Sequence, residues 1–472
     1  MAGSAGRNRL AYTKQTAWDS IPATPVFKSI PFNTGDMFVN NRDLLTSAQV
    51  QSSRQPRRSR IGTNQPEKTI TSELQWQTYD ELIAGGFGSV WDGGFTATAT
   101  VTATTGGVLT RATGSFADDG FTAGMFVLYD DNDELKVYKV GGTPGSTLTL
   151  LQADGEAATT TEITEAAEKT LIAGNSGGRF TATVEDAAEI DKDESTIELS
   201  GFDWAVAGFK VGDNLFIHGS TASDGWHKIS AISSATVTLA DNEGLTDETI
   251  TTGDIDFMTD AGQVVNGNSL GLFAFEEAQL DLTKPYRLIK NAKISSLSFE
   301  IQPNSMINLS MNIMAGEISK FAAASAATST ADYVSREAFD SFTGDIKVGG
   351  SSICITGINV SLSNETERRW CLFSRNAGGI TDGIPDMTGE VSMYFTDADR
   401  SYNAFHDETQ QNYSLRMVDS DGNAYAIEMT SVKYTGDTTN IGDIQVTASL
   451  PFRLEPTTGP ELALRRQPAA RD

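Results

Sequence analysis

The sequence predicts a mainly β protein: an antiparallel β-sandwich domain with one or two short helices, carrying two small inserted β-domains. Three observations predict it. Apolar and polar residues alternate with period two across much of the second half of the chain. The quartet FTAT stands at Phe95 to Thr98 and again at Phe180 to Thr183, each time opening a longer repeat. The 44 glycines far outnumber the 13 prolines, and the apolar residues fall in short groups instead of long amphipathic stripes, as expected for strands joined by turns.

At 472 residues the chain is too long for one ordinary core, and roughly 100 to 200 residues per domain predicts about three. No run approaches the roughly 20 apolar residues of a membrane span, and MAGSAGRNRL lacks the apolar stretch of a secretory signal, so a protein that stays where it is made, with no membrane partner, is expected. Two cysteines, Cys354 and Cys371, are too few for a disulfide scaffold and are expected as buried or half-buried thiols. The net charge of −27 argues against an outer surface that grips nucleic acid. That charge is unevenly spread: residues 92 to 262 hold 29 acidic and 8 basic side chains, leaving 33 and 27 elsewhere.

In chain order, Ile70, Ser72, Leu74 and Trp76 alternate as in a strand. Thr78-Tyr-Asp-Glu81 has the form of a capping box, predicting a helix of about two turns with Tyr79, Leu82 and Ile83 inward and a stop at Gly85-Gly86. The repeat follows. Gly120, Phe121 and Gly124 align with Gly208, Phe209 and Gly212, and Leu148-Thr-Leu150 aligns with Val237-Thr-Leu239 after one extra residue. The expected organisation is a discontinuous sandwich domain from 1–91 and 263–472, with repeats at 92–160 and 180–262 and a glycine-ended linker at 161–179. Strands such as Met125 to Tyr129 and Leu135 to Val140 make each repeat a small barrel or sandwich, and its acidity predicts a solvated, outward-facing module.

Beyond the insert, Leu297, Phe299 and Ile301 face opposite to Ser298, Glu300 and Gln302, and Ile307, Leu309, Met311 and Ile313 opposite to Asn308, Ser310 and Asn312. Pro303-Asn304 supplies the turn of a hairpin. Ile353 and Ile355 change phase to Ile358, Val360 and Leu362 at Thr356-Gly357, as at a β-bulge. Val391, Met393 and Phe395 follow, then Leu415 and Met417 across DSDGN from Tyr425, Ile427 and Met429, and finally Ile444, Val446, Ala448 and Leu450.

Catalytic, cofactor-binding and metal-binding constellations are not found, so a non-enzyme is expected. His218, His227 and His406 share no spacing that presents two ligands together. GGFGSVWDGG around Trp91 lacks the lysine of a phosphate loop. Asp130 to Asp133 and Asp419 to Asn423 lack the bidentate glutamate of a calcium loop and read as hairpin tips. The one basic cluster is RQPRRSR, with Arg54, Arg57, Arg58 and Arg60, which reads either as a solvated loop or as an extended arm docking on an acidic neighbour.

The frame resembles the major tail tube proteins of long-tailed, non-contractile bacteriophages across roughly residues 10–91 and 268–460. The resemblance rests on ELQWQTYDELIAGGFGSVW, FAFEEAQLDLTKPYRLIKNAKISSLSFEIQPNSMINLSMNIMAGE, GINVSLSNETE and TGEVSMYFTDADRSYNAFHDETQQNYSLRMVD, in that order. It implies a virion protein, assembled in the bacterial host cytoplasm, whose β-sandwich closes as hexameric rings. Those rings stack into a hollow tube that meets other tail proteins at its ends and lets double-stranded DNA pass without holding it. The inserted repeats would then decorate the outside. On this reading Ser298, Glu300, Gln302, Asn308, Ser310 and Asn312, which include no lysine or arginine, are expected to face the lumen, and the Arg54 to Arg60 arm to reach the adjacent ring. Two rival readings are a surface or secreted adhesin binding carbohydrate through Trp204 and Trp226, and a baseplate or tail-tip ring on the same fold.

Overall fold

Strands in this chain form where one side-chain face can be buried, and the computed structural model is mainly β, with only three short helices among the described residues. It describes residues 7–33, 37–49, 58–131, 134–152, 155–176, 178–182, 188–250, 255–349, 351–394, 402–441, 446–455 and 462–471. Phe395, Ile444, Thr183 and Asp133, all named above, lie outside that set. Two compact units emerge: residues 1–90, 265–419 and 427–463 form the first, and 91–264, 420–426 and 464–472 the second.

The first unit is organised around six strands, here β1 (Gln65–Glu73), β2 (Tyr286–Ile301), β3 (Asn308–Ile318), β4 (Ile355–Ser363), β5 (Asp386–Tyr394) and β6 (Val446–Leu454). Antiparallel pairing gives the spatial order β1-β3-β2-β4-β5-β6. The predicted hairpin is β2 and β3, turned at Pro303-Asn304 with Asn304 in the left-handed region (φ 57°). Leu297, Phe299, Ile307, Leu309, Met311, Ile313, Ile358, Val360, Leu362, Val391, Met393, Ala448 and Leu450 are all buried. The register of β4 against β5 slips between Ile355 and Gly357, at the predicted bulge. At 16 residues β2 is long enough to take different partners along its two halves. Its second half lies between β3 and β4, while its first half pairs with Phe273–Gln279, which pairs in turn with Asn8–Lys14.

The helix α1 (Asp80–Phe87) corrects two expectations. No side-chain cap bond forms at its start, where Tyr79 holds the N-cap position, and Thr78 Oγ1 instead reaches Trp76 O at 3.4 Å. Gly85 and Gly86 lie inside the helix instead of ending it. A Cβ at Gly85 would sit 2.5 Å from the Phe273 ring, and one at Gly86 2.5 Å from Leu297 Cδ1. These glycines let the helix approach the sheet, and Gly88, at φ 69°, ends it. The cysteines are also not buried: Cys354 lies in a strand connection and Cys371 just beyond Trp370, and both are exposed.

In the second unit each repeat builds the same circuit. Phe95–Ala103, Val108–Arg111, Thr147–Leu151, Leu135–Gly141, Phe126–Asp130 and Ile163–Gly174 close into a six-stranded barrel. The last of these strands occupies most of the stretch read as a linker at 161–179. Its alternation was masked by Thr, Glu and Ala, and it is a strand because it closes the gap between Phe95–Ala103 and Phe126–Asp130, leaving no free edge there. The second repeat follows the same order with two strands split. Arg179–Ala182 and Ala188–Asp191 replace Phe95–Ala103, and Glu248–Ile250 and Ile255–Thr259 replace Ile163–Gly174.

The aligned glycines have one local role. Gly124 N donates to Val140 O and Gly212 N to Ile229 O, both at 2.8 Å, with φ 90° and 92°. Phe116 and Phe121 fill one core, Trp204 and Phe209 the other. Alternate residues face outward, and there Phe126, Leu128 and Val137 of the first barrel pack with Phe216 and Met258 of the second.

The end of the chain, ELALRRQPAARD, belongs to this unit from Leu464 and is described through Arg471. Arg465 is buried and pairs with the buried Asp213 at 2.8 Å, while Gln467 Nε2 donates to the same carboxylate at 3.0 Å. The Arg466 guanidinium lies over Trp91 (4.4 Å) and donates to Gly93 O at 2.8 Å. Arg471 pairs with Asp260, whose carboxyl is pushed up to about 6 by burial against the opposing pull of that arginine.

Candidate functional site

Pairing registers assemble the alternating residues of β1–β6 into one continuous polar face. One row across the strands reads Glu73, Asn308, Glu300, Asn359 and Glu390; the next reads Thr71, Ser310, Ser298, Ser361, Thr388 and Arg453; a third reads Thr69, Asn312, Ser296, Ser363 and Asp386. The opposite faces of these strands hold the buried apolar residues named above, so the division is a direct consequence of period two.

Five of the six residues expected to face a lumen lie on this surface and Gln302 continues it into the turn; Glu300, Gln302 and Asn312 are exposed, and Ser298, Asn308 and Ser310 are half-buried. The groups tie to one another sideways. Asn312 Nδ2 donates to Ser296 Oγ at 2.7 Å, Thr69 Oγ1 donates to Asn312 Oδ1, and Ser449 Oγ donates to Glu390. Arg453 is the single cation in these rows, and it is paired with Asp386 at 2.8 Å. Among the described residues these three rows are wetted, weakly acidic and hold no unpaired cation to take up phosphate.

Of the basic arm, Arg54 and Arg57 lie outside the described residues. Arg58 is exposed, and exposed Arg60 forms a two-residue strand paired with Leu44–Leu45.

Two buried carboxylates of the first unit are each held by several donors. Buried Glu276 accepts from Ser325 Oγ (2.8 Å) and Ala326 N (2.7 Å). Buried Glu277 accepts from Arg287 Nε (3.0 Å) and Phe38 N (2.7 Å). His218, His227 and His406 stay on separate elements; buried His227 is held below the ordinary imidazole range by desolvation. Trp204 is fully buried and offers no stacking face, and half-buried Trp226 packs against Phe216 and Arg471.

Sequence reasoning found the β2–β3 share of the polar face and missed the rest. The signal was present as Thr69, Thr71 and Glu73, as Asn359, Ser361 and Ser363, and as Thr388, Glu390 and Ser392. What was missing was the strand order that joins them.

Comparison with known families matches residues 6–454 to the family described as phage tail tube protein. A comparison with curated proteins found no match. Among the described residues no helix is long and apolar enough to cross a membrane.

Proposed function

The chain belongs to the phage tail tube protein family, a structural component of the virion tail, and from that premise we propose that its copies close into hexameric rings that stack as a hollow tube for DNA passage. The polar face of β1–β6 is the wall of the bore. The observation that carries this reading is the row Glu73–Asn308–Glu300–Asn359–Glu390 with hydroxyl rows beside it, three rows whose single cation, Arg453, is paired with Asp386. A wall that lets DNA slide must wet it without trapping phosphate, and counterion release makes even a few lysines adhesive. The outer side of β6 is already paired by Thr438–Ile441 and Val432–Tyr434 and that of β1 by Val39–Asn41 at Gln65–Glu67, so edge-to-edge closure would use only what these pairings leave open. The acidic repeats suit the outside of the tube, where like charge keeps neighbouring particles apart, and other tail proteins would meet its two ends. The subunits assemble in the host cytoplasm.

Negative-stain microscopy of the purified chain tests the reading. Rings and hollow filaments are the expected result. A chain that stays monomeric under every assembly condition overturns it, and isolated rings that never lengthen favour a tail-tip component.

A further inference from the structure

The two ends of the β1–β6 sheet are chemically opposite. One end carries the β2–β3 turn, and residues 337–345 are clipped to it: Ile307 N donates to Phe339 O at 2.9 Å and Ser341 N to Ser305 O at 3.1 Å. That segment, EAFDSFTGD, has three acids and no base. Glu337 and Asp345 are exposed, Asp345 lying 3.4 Å from Lys347 Nζ and Glu337 next to Arg336 in the chain, and beside them Phe342 is 71% and Met306 48% exposed.

The other end carries the connection from β4 to β5. It contains a separate two-stranded hairpin, Glu367–Trp370 with Ala377–Thr381. Its tip and flank, RRWCLFSRN, have three arginines and no acid. Leu372 and Phe373 are essentially bare, Trp370 is 42% exposed, and Arg369 and Arg375 are exposed with no carboxylate partner among the described residues.

The base of this hairpin is firmly held. Arg368 donates to Ala315 O (3.0 Å) and Pro66 O (2.6 Å), Asn64 N donates to Arg375 O (2.7 Å), and Asn64 Nδ2 donates to Asn376 Oδ1 (2.6 Å). An anchored base and a bare apolar tip make a pre-organised knob, which loses little freedom when it docks. Exposed apolar surface of this kind, flanked by arginines without a carboxylate partner among the described residues, marks an interaction surface.

We propose that this hairpin is an axial docking element whose partner is a second copy of the chain. Its tip residues Arg369, Trp370, Leu372, Phe373 and Arg375 seat on Met306, Phe342, Glu337 and Asp345 of a copy in the next ring. Charge complementarity selects that occupant: a basic apolar tip and an acidic apolar seat stand at opposite ends of the same sheet. A contact of that kind is head-to-tail and does not close on itself, so it lengthens a stack. The inference rests on the tube reading above and adds which surfaces join successive rings.

The test compares the native chain with Arg369→Glu/Arg375→Glu, with Glu337→Arg/Asp345→Arg, and with all four changes in one chain. Folding is checked by circular dichroism and assembly by microscopy and sedimentation. Each pair of changes is expected to leave rings but raise the concentration needed for elongation about tenfold or more, and the four-change chain to recover long tubes. Leu372→Ser/Phe373→Ser, which leaves charge alone, is expected to shorten tubes as well. Native-length tubes from the Arg369→Glu/Arg375→Glu chain overturn the inference, as does a four-change chain no better than either pair. Loss of double-stranded DNA binding in that variant with tube length unchanged would assign the tip to nucleic acid and overturn it too. If the native chain forms neither rings nor tubes, the tube reading itself has failed, and that outcome is read from the native arm alone.

Discussion

Met125 and Asp213 occupy the same position in the two barrels, yet one is an apolar core residue and the other a buried carboxylate. Their backbones do the same work: Met125 O accepts from Val140 N at 2.8 Å and Asp213 O from Ile229 N at 3.0 Å. Their side chains differ because the second barrel receives Arg465 and Gln467, which satisfy Asp213 where Met125 is satisfied by Phe116 and its neighbours. A buried ion pair repays its desolvation only when both partners and their hydrogen bonds are present. Arg465→Met alone should therefore destabilise the second unit by about 3–5 kcal/mol, because it leaves an uncompensated buried charge. Changing Asp213→Met, Arg465→Met and Gln467→Leu together, so that the site resembles the first barrel, should recover most of that loss. Calorimetry on the three chains decides it; equal transitions for native and Arg465→Met would mean the pair contributes nothing.

The polar face is a property of strands in register, so its function is tested there. Ser310→Lys with Asn312→Lys places two cations per copy on β3 without touching the buried Leu309, Met311 and Ile313. Assembly should be unchanged, while DNA release from particles built of this chain should slow, the more so at low salt, because each lysine adds a phosphate contact that salt competes away. Ejection kinetics equal to native at every salt concentration would remove the face from the DNA path. The same strands show what alternation can and cannot reveal. Leu297 and Ser298 announce which face is wet, so the hairpin was legible from β2 and β3 alone. Nothing in QPEKTITSE announces that it lies beside β3, more than 230 residues on, because period two fixes a face and not a neighbour. Gly85-Gly86 was misread for a related reason. Glycine signals a stop locally, but Phe273 and Leu297 pressing on the helix require glycine there, and both come from far along the chain. The composition of ITEAAEKTLIAG reads as a linker, and only the two open strands on either side of it make it a barrel stave.

Across the whole molecule, the last residues of the chain complete a unit whose other residues begin at Trp91. Asp213 and Arg465 are 252 positions apart, and Gly93 and Arg466 are 373 apart. Contacts of such separation form late, since the closure entropy of the intervening chain is met before they return anything. The two barrels can each close by short-range pairing, but Asp213, Asp260 and Trp91 wait for the tail. Ending the chain after Ala463 should therefore leave the first unit intact and loosen the second. Hydrogen exchange resolves the two: amides in Tyr286–Ile301 and Asn308–Ile318 should keep native protection, while those in Asn214–His218 and Gly225–Ser233 should exchange at least about tenfold faster, as expected when one or two kcal/mol of local stability is removed. Adding back a peptide that spans 464–472 should restore protection in the second barrel. Native protection throughout the truncated chain would show that the arginine tail rests on a unit already complete, and the folding order argued here would fall with it.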